Sequence, residues 1–205
     1  MKDLAFPIEK LGFGCGRIVG GASLKKSAVI LESAHEMGIR HFDVAPSYGL
    51  GTAEDAVGAV FDGDSSVNIA TKVGIARPAG AKGLSILRKY LAPILKSSNV
   101  LKSLALKSLA SKSKRGIFDV ESVENSINES LKRLRRSKIE YLLLHEPASH
   151  DITPELQGYF EGLLQKEIIA NTGLGFIIGT EVEKIESANN TKSLHKWRIV
   201  KENSS

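Results

Sequence analysis

The sequence predicts an α/β fold built on a parallel sheet, and three observations carry that reading. Short apolar or β-branched runs alternate with longer segments of helical period five times over, and a sixth strand-like run follows. One run, IEYLLLH at 139–145, is almost wholly apolar, as expected of a strand covered on both faces. Ionisable residues stand at the ends of successive runs, where a closed parallel barrel would gather them at one mouth. The alternation alone fits either an open, doubly wound sheet or a closed barrel.

Element by element, LGFGC (11–15) reads as a strand and SLKKSAVILESAHEMG (23–38) as an amphipathic helix closed by Gly38. RHFDVA (40–45) is strand-like, and TAEDAVGAVF (52–61) is a helix with Thr52 as its N-cap. VNIATKV (67–73) is the third strand. DVESVENSINESLKRLRR (119–136) is a helix with acids in its first turns and cations in its last, as the helix dipole prefers. After the apolar strand at 139–145 come a helix at 153–166, a strand at 168–176, a helix at 179–188 and a final strand at 197–201.

With 205 residues, 42% hydrophobic and 25% charged, the chain holds one sizeable core rather than two domains. Its apolar runs are too short to span a membrane, and MKDLAFPIEK lacks the marks of a secretion signal. Cys15 is the single cysteine, expected as a small buried residue in a reducing, cytoplasmic compartment. The net charge of +5 is uneven: eleven Lys and Arg, and no acid, fall between Asp64 and Asp119. The centre of that span, LKSLALKSLASKSKR (101–115), repeats LKSLA. Such a stretch could attract anions, nucleic acid or a membrane surface. Without interleaved aromatics it reads as a solvated helical excursion, so neither nucleic acid nor membrane is expected as a partner.

GFGCGRIVGG (12–21) invites a dinucleotide-loop reading, but its glycines at 12, 14, 16, 20 and 21 miss the G-x-G-x-x-G spacing. A glycine-rich first strand with a tight turn fits better. The second strand ends in Asp43, with Tyr48 in its loop; the third ends in Lys72 and the fourth in His145. Singly, each has a plain structural use as a cap, a packed phenol or a core histidine. Together they make a specific chemistry. A phenol with a pKa near ~10 is a poor acid at neutral pH, and a neighbouring ammonium makes it a better one. Asp43 would fix Lys72, Lys72 would tune Tyr48 as a general acid, and His145 would hold a carbonyl oxygen. Proton delivery to a carbonyl is half of a reduction; the other half is a hydride, which needs a nicotinamide. No metal enters this scheme.

The segments GIRHFDVAPSYGLGTAEDAVG (38–58), IATK (69–72), SVENSINESLKRLRRSKIEYLLLHEP (122–147) and GLGFIIGTEVEKI (173–185) resemble the aldo-keto reductase family, in its bacterial aldose dehydrogenase-like subgroup. The resemblance implies a TIM-type (β/α)8 barrel and NADP(H)-dependent interconversion of a small-molecule carbonyl or sugar and its alcohol. It implies Tyr48 as proton donor, Lys72 and Asp43 as its tuning pair, and His145 as substrate orienter. Glu54, in the same motif, reads as structural. The expected organisation is one barrel domain over 1–205, with a basic insertion at 77–118 after strand three.

Two departures qualify this. Where the family has a Ser-Asn pair for the nicotinamide amide, this chain has Gly175 and Phe176, so its cofactor-binding residues are unknown. Lys201 stands where the family often has a Gln, and it is given no role. About six strands are present, so the barrel is expected to be C-terminally shortened, without its last two β/α units. Strands one and six would then offer open edges for self-association. The alternative to an oxidoreductase is an inactive remnant serving as a binding or interaction module.

Overall fold

Strands and helices alternate along the computed structural model, which describes residues 8–18, 24–77, 114–177 and 198–202. In chain order these are β1 (Gly12–Gly14), α1 (Leu24–Glu36), β2 (His41–Asp43), α2 (Ala53–Val60), β3 (Asn68–Val73), α3 (Val120–Leu134), β4 (Ile139–His145), α4 (Pro154–Gln165), β5 (Ile169–Ile177) and β6 (Arg198–Glu202). The expected helix at 179–188, most of the basic insertion and the glycines at 20 and 21 lie outside the described residues. Every strand pairs in parallel with its sequence neighbours, in the order β1-β2-β3-β4-β5-β6. That order, with a helix after each of the first four strands, is the TIM-type barrel arrangement, with six strands among the described residues.

Alternation along each strand divides its side chains between two faces. Phe42, Val44 and Ile69 join Leu31, Ala34 and Val57 of α1 and α2 in one apolar cluster. Val73, Leu142, Leu144, Leu174 and Phe176 join Val123 and Ile127 of α3 and Leu156 and Phe160 of α4 in a second. The intervening positions, which include Asp43, Lys72, His145 and Gly175, therefore face the other side of the sheet, the barrel interior. The register aligns Asp43 with Ala70, Lys72 with Leu143, and His145 with Gly175.

The helix ends explain how short the connections can be. After α1, Gly38 takes φ 99°, with Gly38 N–H donating to His35 O and Ile39 N–H to Ala34 O, the Schellman arrangement expected of a closing glycine. α4 ends in the same bond pattern, Glu167 N–H to Leu164 O and Ile168 N–H to Leu163 O, with Glu167 at φ 55°. α3 and α4 start on side-chain caps: Asp119 accepts from Ser122 N–H and Thr153 from Leu156 N–H. Thr52 stands at the N-cap of α2, as expected, and its carbonyl accepts from Ala56 N–H at 3.1 Å. Its hydroxyl makes no capping bond and donates instead to Gly49 O at 2.7 Å. Its backbone is already in the helical region, φ −120° and ψ −2°, rather than the extended geometry typical of an N-cap.

Candidate active site

Asp43 is the last residue of β2 and Lys72 the second to last of β3, so a short strand and a long side chain meet at the mouth. The Lys72 side chain is fully buried, and its Nζ donates to both Asp43 oxygens at 2.7 Å and to Val44 O at 3.2 Å. An ammonium removed from water is tolerable only with such partners. Asp43 keeps 24% of its side-chain surface exposed, which leaves the pair open toward the mouth.

After β2 the chain turns sharply through the 3-10 turn Tyr48–Leu50, with Gly49 at φ 57° and Gly51 at φ 81°. Those left-handed conformations are available to glycine at little cost and fold the loop back over the sheet. Tyr48 thereby returns to the strand ends, its ring centroid 4.4 Å from Lys72 Nζ. That is cation–π distance. His145, 5% exposed at the end of β4, meets the Tyr48 ring edge-on, with centroids 5.7 Å apart and planes at 85°. The four residues singled out in the sequence therefore lie together at one end of the sheet.

The neighbouring positions define what this pocket lacks. Gly175 is the partner of His145 on β5, and a Cβ there would lie 3.4 Å from Lys72 Cε. Phe176 points the other way and is 3% exposed within the apolar cluster under α3 and α4. Neither offers a polar side chain to the pocket. Cys15 is fully buried, and burial first, then the Asp43 carboxylate, pushes its thiol up to about 12. It is inert packing, as expected.

Sequence reasoning treated Glu54 as structural, and its surroundings agree. It is 2% exposed and accepts from Thr71 Oγ1 at 2.8 Å, while Arg133 Nη1 stands 3.8 Å from its other oxygen. This ties α2 to β3 beside Lys72 and to α3. Two features near the site were missed. Val44 O, the third acceptor of Lys72, is backbone, which no side-chain pattern reveals. Glu146, directly after His145, adopts φ 53°, donates its N–H to Gly175 O at 2.8 Å and pairs with Arg115. Arg115 is 31 residues away and no local signal links the two. Among the described residues no group of three or more His, Cys, Asp or Glu could hold a metal ion, and no helix is long and apolar enough to cross a membrane.

A sequential parallel α/β barrel sheet with Asp, Tyr, Lys and His gathered at its strand ends is the arrangement the family resemblance leads one to expect. The chain belongs to the aldo/keto reductase family, whose family model matches residues 10–203. A D-threo-aldose 1-dehydrogenase from a Pseudomonas species is 28% identical over 184 residues, covering 83% of this chain and 51% of the relative. Among solved structures, an aldo-keto reductase from Bacillus halodurans in its holo form has a TM-score of 0.65 at 23% identity, covering 95% of this chain and 53% of that one. The glycerol dehydrogenase of Gluconobacter oxydans has a TM-score of 0.59 at 22% identity, with 86% and 47% covered. These likenesses support the fold. The chain spans about half the length of each of these proteins.

Proposed function

We propose that this chain carries the acid–base half of an oxidoreductase that interconverts a carbonyl and an alcohol with NADP(H), Tyr48 being the general acid and base. The observation that supports it most directly is the Lys72 ammonium, fixed by both Asp43 oxygens at 2.7 Å and lying 4.4 Å from the Tyr48 ring. In the reducing direction His145 orients the substrate carbonyl oxygen, and the Tyr48 O–H bond breaks as the alcohol O–H bond forms. The phenolate left behind is stabilised by the adjacent ammonium, and Asp43 keeps that ammonium charged and in place. In the oxidising direction the phenolate takes the alcohol proton back. The nicotinamide, when bound, supplies or accepts the hydride at the carbonyl carbon. By analogy with the D-threo-aldose 1-dehydrogenase relative, the substrate is an aldose or another small carbonyl compound.

The residues at the mouth present Tyr48 beside the Lys72 ammonium to the reacting end of such a cofactor, and Gly175 gives the Lys72 stem its place on β5, where a Cβ would lie 3.4 Å from Lys72 Cε. They do not supply a grip on its amide, since position 175 has no side chain and Phe176 is buried on the far face. That observation favours a second reading, a non-catalytic member of the family acting as a binding or interaction module. Titration with NADPH, followed by nicotinamide fluorescence, separates the two. Saturable binding, with carbonyl reduction lost in Tyr48→Phe at nearly unchanged cofactor affinity, supports the enzyme. No saturable change at millimolar cofactor leaves only the binding module, and a wild-type rate in Tyr48→Phe rules out the assigned acid.

A further inference from the structure

Among the described residues, three other than glycine take a positive φ: Arg135, Glu146 and Glu167. Arg135 and Glu167 stand where α3 and α4 end, a place where that conformation is common. Glu146, at φ 53°, closes no helix; it directly follows His145 at the end of β4. An L-residue held there is backbone strain beside a site residue. Two contacts hold it. Glu146 N–H donates to Gly175 O at 2.8 Å, which fixes the peptide plane shared with His145. Its carboxylate pairs with the Arg115 guanidinium. A glycine would take φ 53° without strain, but it would have no carboxylate to offer Arg115.

Arg115 is anchored in its turn. Its backbone bridges antiparallel to Ile75, just beyond the end of β3. Ala76 N–H donates to Lys114 O at 2.8 Å, and Ile117 N–H to Gly74 O at 3.1 Å. The Phe118 ring fills the space that a Cβ on Gly74 would need. Residues 114–118 are thus tied to the exit of β3, and the Arg115 side chain reaches from there to the exit of β4.

We propose that Arg115 is a positioning residue, which through Glu146 fixes the backbone that carries His145. This role rests on the reading of His145 as the orienter of the carbonyl oxygen. Without the guanidinium, Glu146 relaxes toward the negative φ that its Cβ prefers. The loop beyond resists that turn, because the Pro147 ring locks its own φ and Ala148 N–H donates to Asp151 Oδ2 at 2.8 Å. The rotation therefore falls on the peptide shared with His145. A displaced imidazole no longer holds the carbonyl oxygen in line with the Tyr48 hydroxyl.

Arg115→Met and Glu146→Gly test this. Arg115 is 65% exposed and glycine accepts φ 53°, so both variants should fold with urea midpoints close to the wild type's. In each, kcat for NADPH-dependent carbonyl reduction should fall about tenfold at unchanged NADPH affinity, as expected of a misplaced reacting geometry. Arg115→Lys, which keeps the cation, should recover most of that loss. The His145 ring signals in a proton–nitrogen correlation spectrum give a readout that needs no catalysis. They should move in Arg115→Met and Glu146→Gly, while those of His35 and His41 stay in place. Failure of the wild-type chain to reduce any carbonyl sinks the enzymatic reading, and the spectrum then decides the positioning role alone. Unmoved His145 signals in both variants overturn that role in either case, as does a wild-type kcat in Arg115→Met where the chain is active.

Discussion

Lys72 and Asp43 are bound unequally to their surroundings: the ammonium is wholly buried, whereas the carboxylate that holds it keeps 24% of its surface in water. Removing either partner should therefore have different consequences. Asp43→Ala leaves a buried cation without its carboxylate, which costs about 3 kcal/mol of stability, the low end for a broken buried pair because water can reach the gap. Lys72→Met fills the same channel with apolar atoms and leaves a carboxylate that can turn toward solvent, so it should cost well under half as much. Urea denaturation of the two variants measures the asymmetry. Equal losses would mean that the pair is less desolvated than its geometry indicates. Under the proposed mechanism both variants lose carbonyl reduction, so stability and activity separate in Lys72→Met.

A close contact between α2 and α3 is made by a residue with no side chain. At Gly58 in α2, a Cβ would lie 2.1 Å from Arg133 O and 2.7 Å from Leu134 Cα, both backbone atoms of α3. Alanine is the better helix former by about 1 kcal/mol, so propensity alone predicts that Gly58→Ala stabilises. The contact predicts the reverse. Separating the two helices enough to admit a methyl group should cost about 3 kcal/mol net, the upper part of the overpacking range. Thermal denaturation gives the sign directly, and a raised Tm would show that α2 and α3 are less closely apposed.

Gly58 also marks the limit of what the sequence discloses. The strands and helices follow from hydrophobic period, and IEYLLLH was legible end to end because a doubly covered strand has no competing pattern. The site was legible because three ionisable residues and a phenol at strand ends are unusual in combination. Thr52 holds the N-cap position the sequence indicates, but not the capping bond: Ser and Thr signal both caps and turns, and here the turn formed by the glycines at 49 and 51 took the hydroxyl. The need for glycine at position 58 was invisible because it arises from the spatial meeting of α2 with the end of α3. Sequence spacing carries no trace of that meeting.

Glu167 closes α4 in a left-handed conformation, φ 55°, at an exposed position. An L-residue there is held at a cost that glycine escapes, of roughly 1 kcal/mol, partly offset by the greater freedom of glycine in the unfolded chain. Glu167→Gly should therefore raise stability by about 0.5 kcal/mol, whereas Gly38→Ala, at φ 99° with Ile8 Cγ2 only 3.1 Å from the new methyl, should lower it. The opposite signs at two equivalent helix ends are read from the two denaturation midpoints. A destabilised Glu167→Gly would show that the carboxylate has a stabilising partner at that turn.

Glu54 is a buried carboxyl whose burial pushes its pKa above the ordinary carboxylate value, although Thr71 and Arg133 pull it the other way. In the window between the ordinary value and the raised one, the folded chain holds a proton that the unfolded chain releases. Stability contributed by this group is therefore greatest at acid pH, and falls as pH rises through that window. Glu54→Gln keeps the acceptor for Thr71 Oγ1 and removes the titration. The variant should be nearly as stable as the wild type at pH 4.5 and relatively more stable at pH 7, flattening the pH dependence of the urea midpoint. The mutant and wild-type profiles should diverge with increasing pH. Divergence in the opposite direction would mean that the Arg133 ion pair outweighs desolvation, and that Glu54 is held ionised as the partner of that arginine.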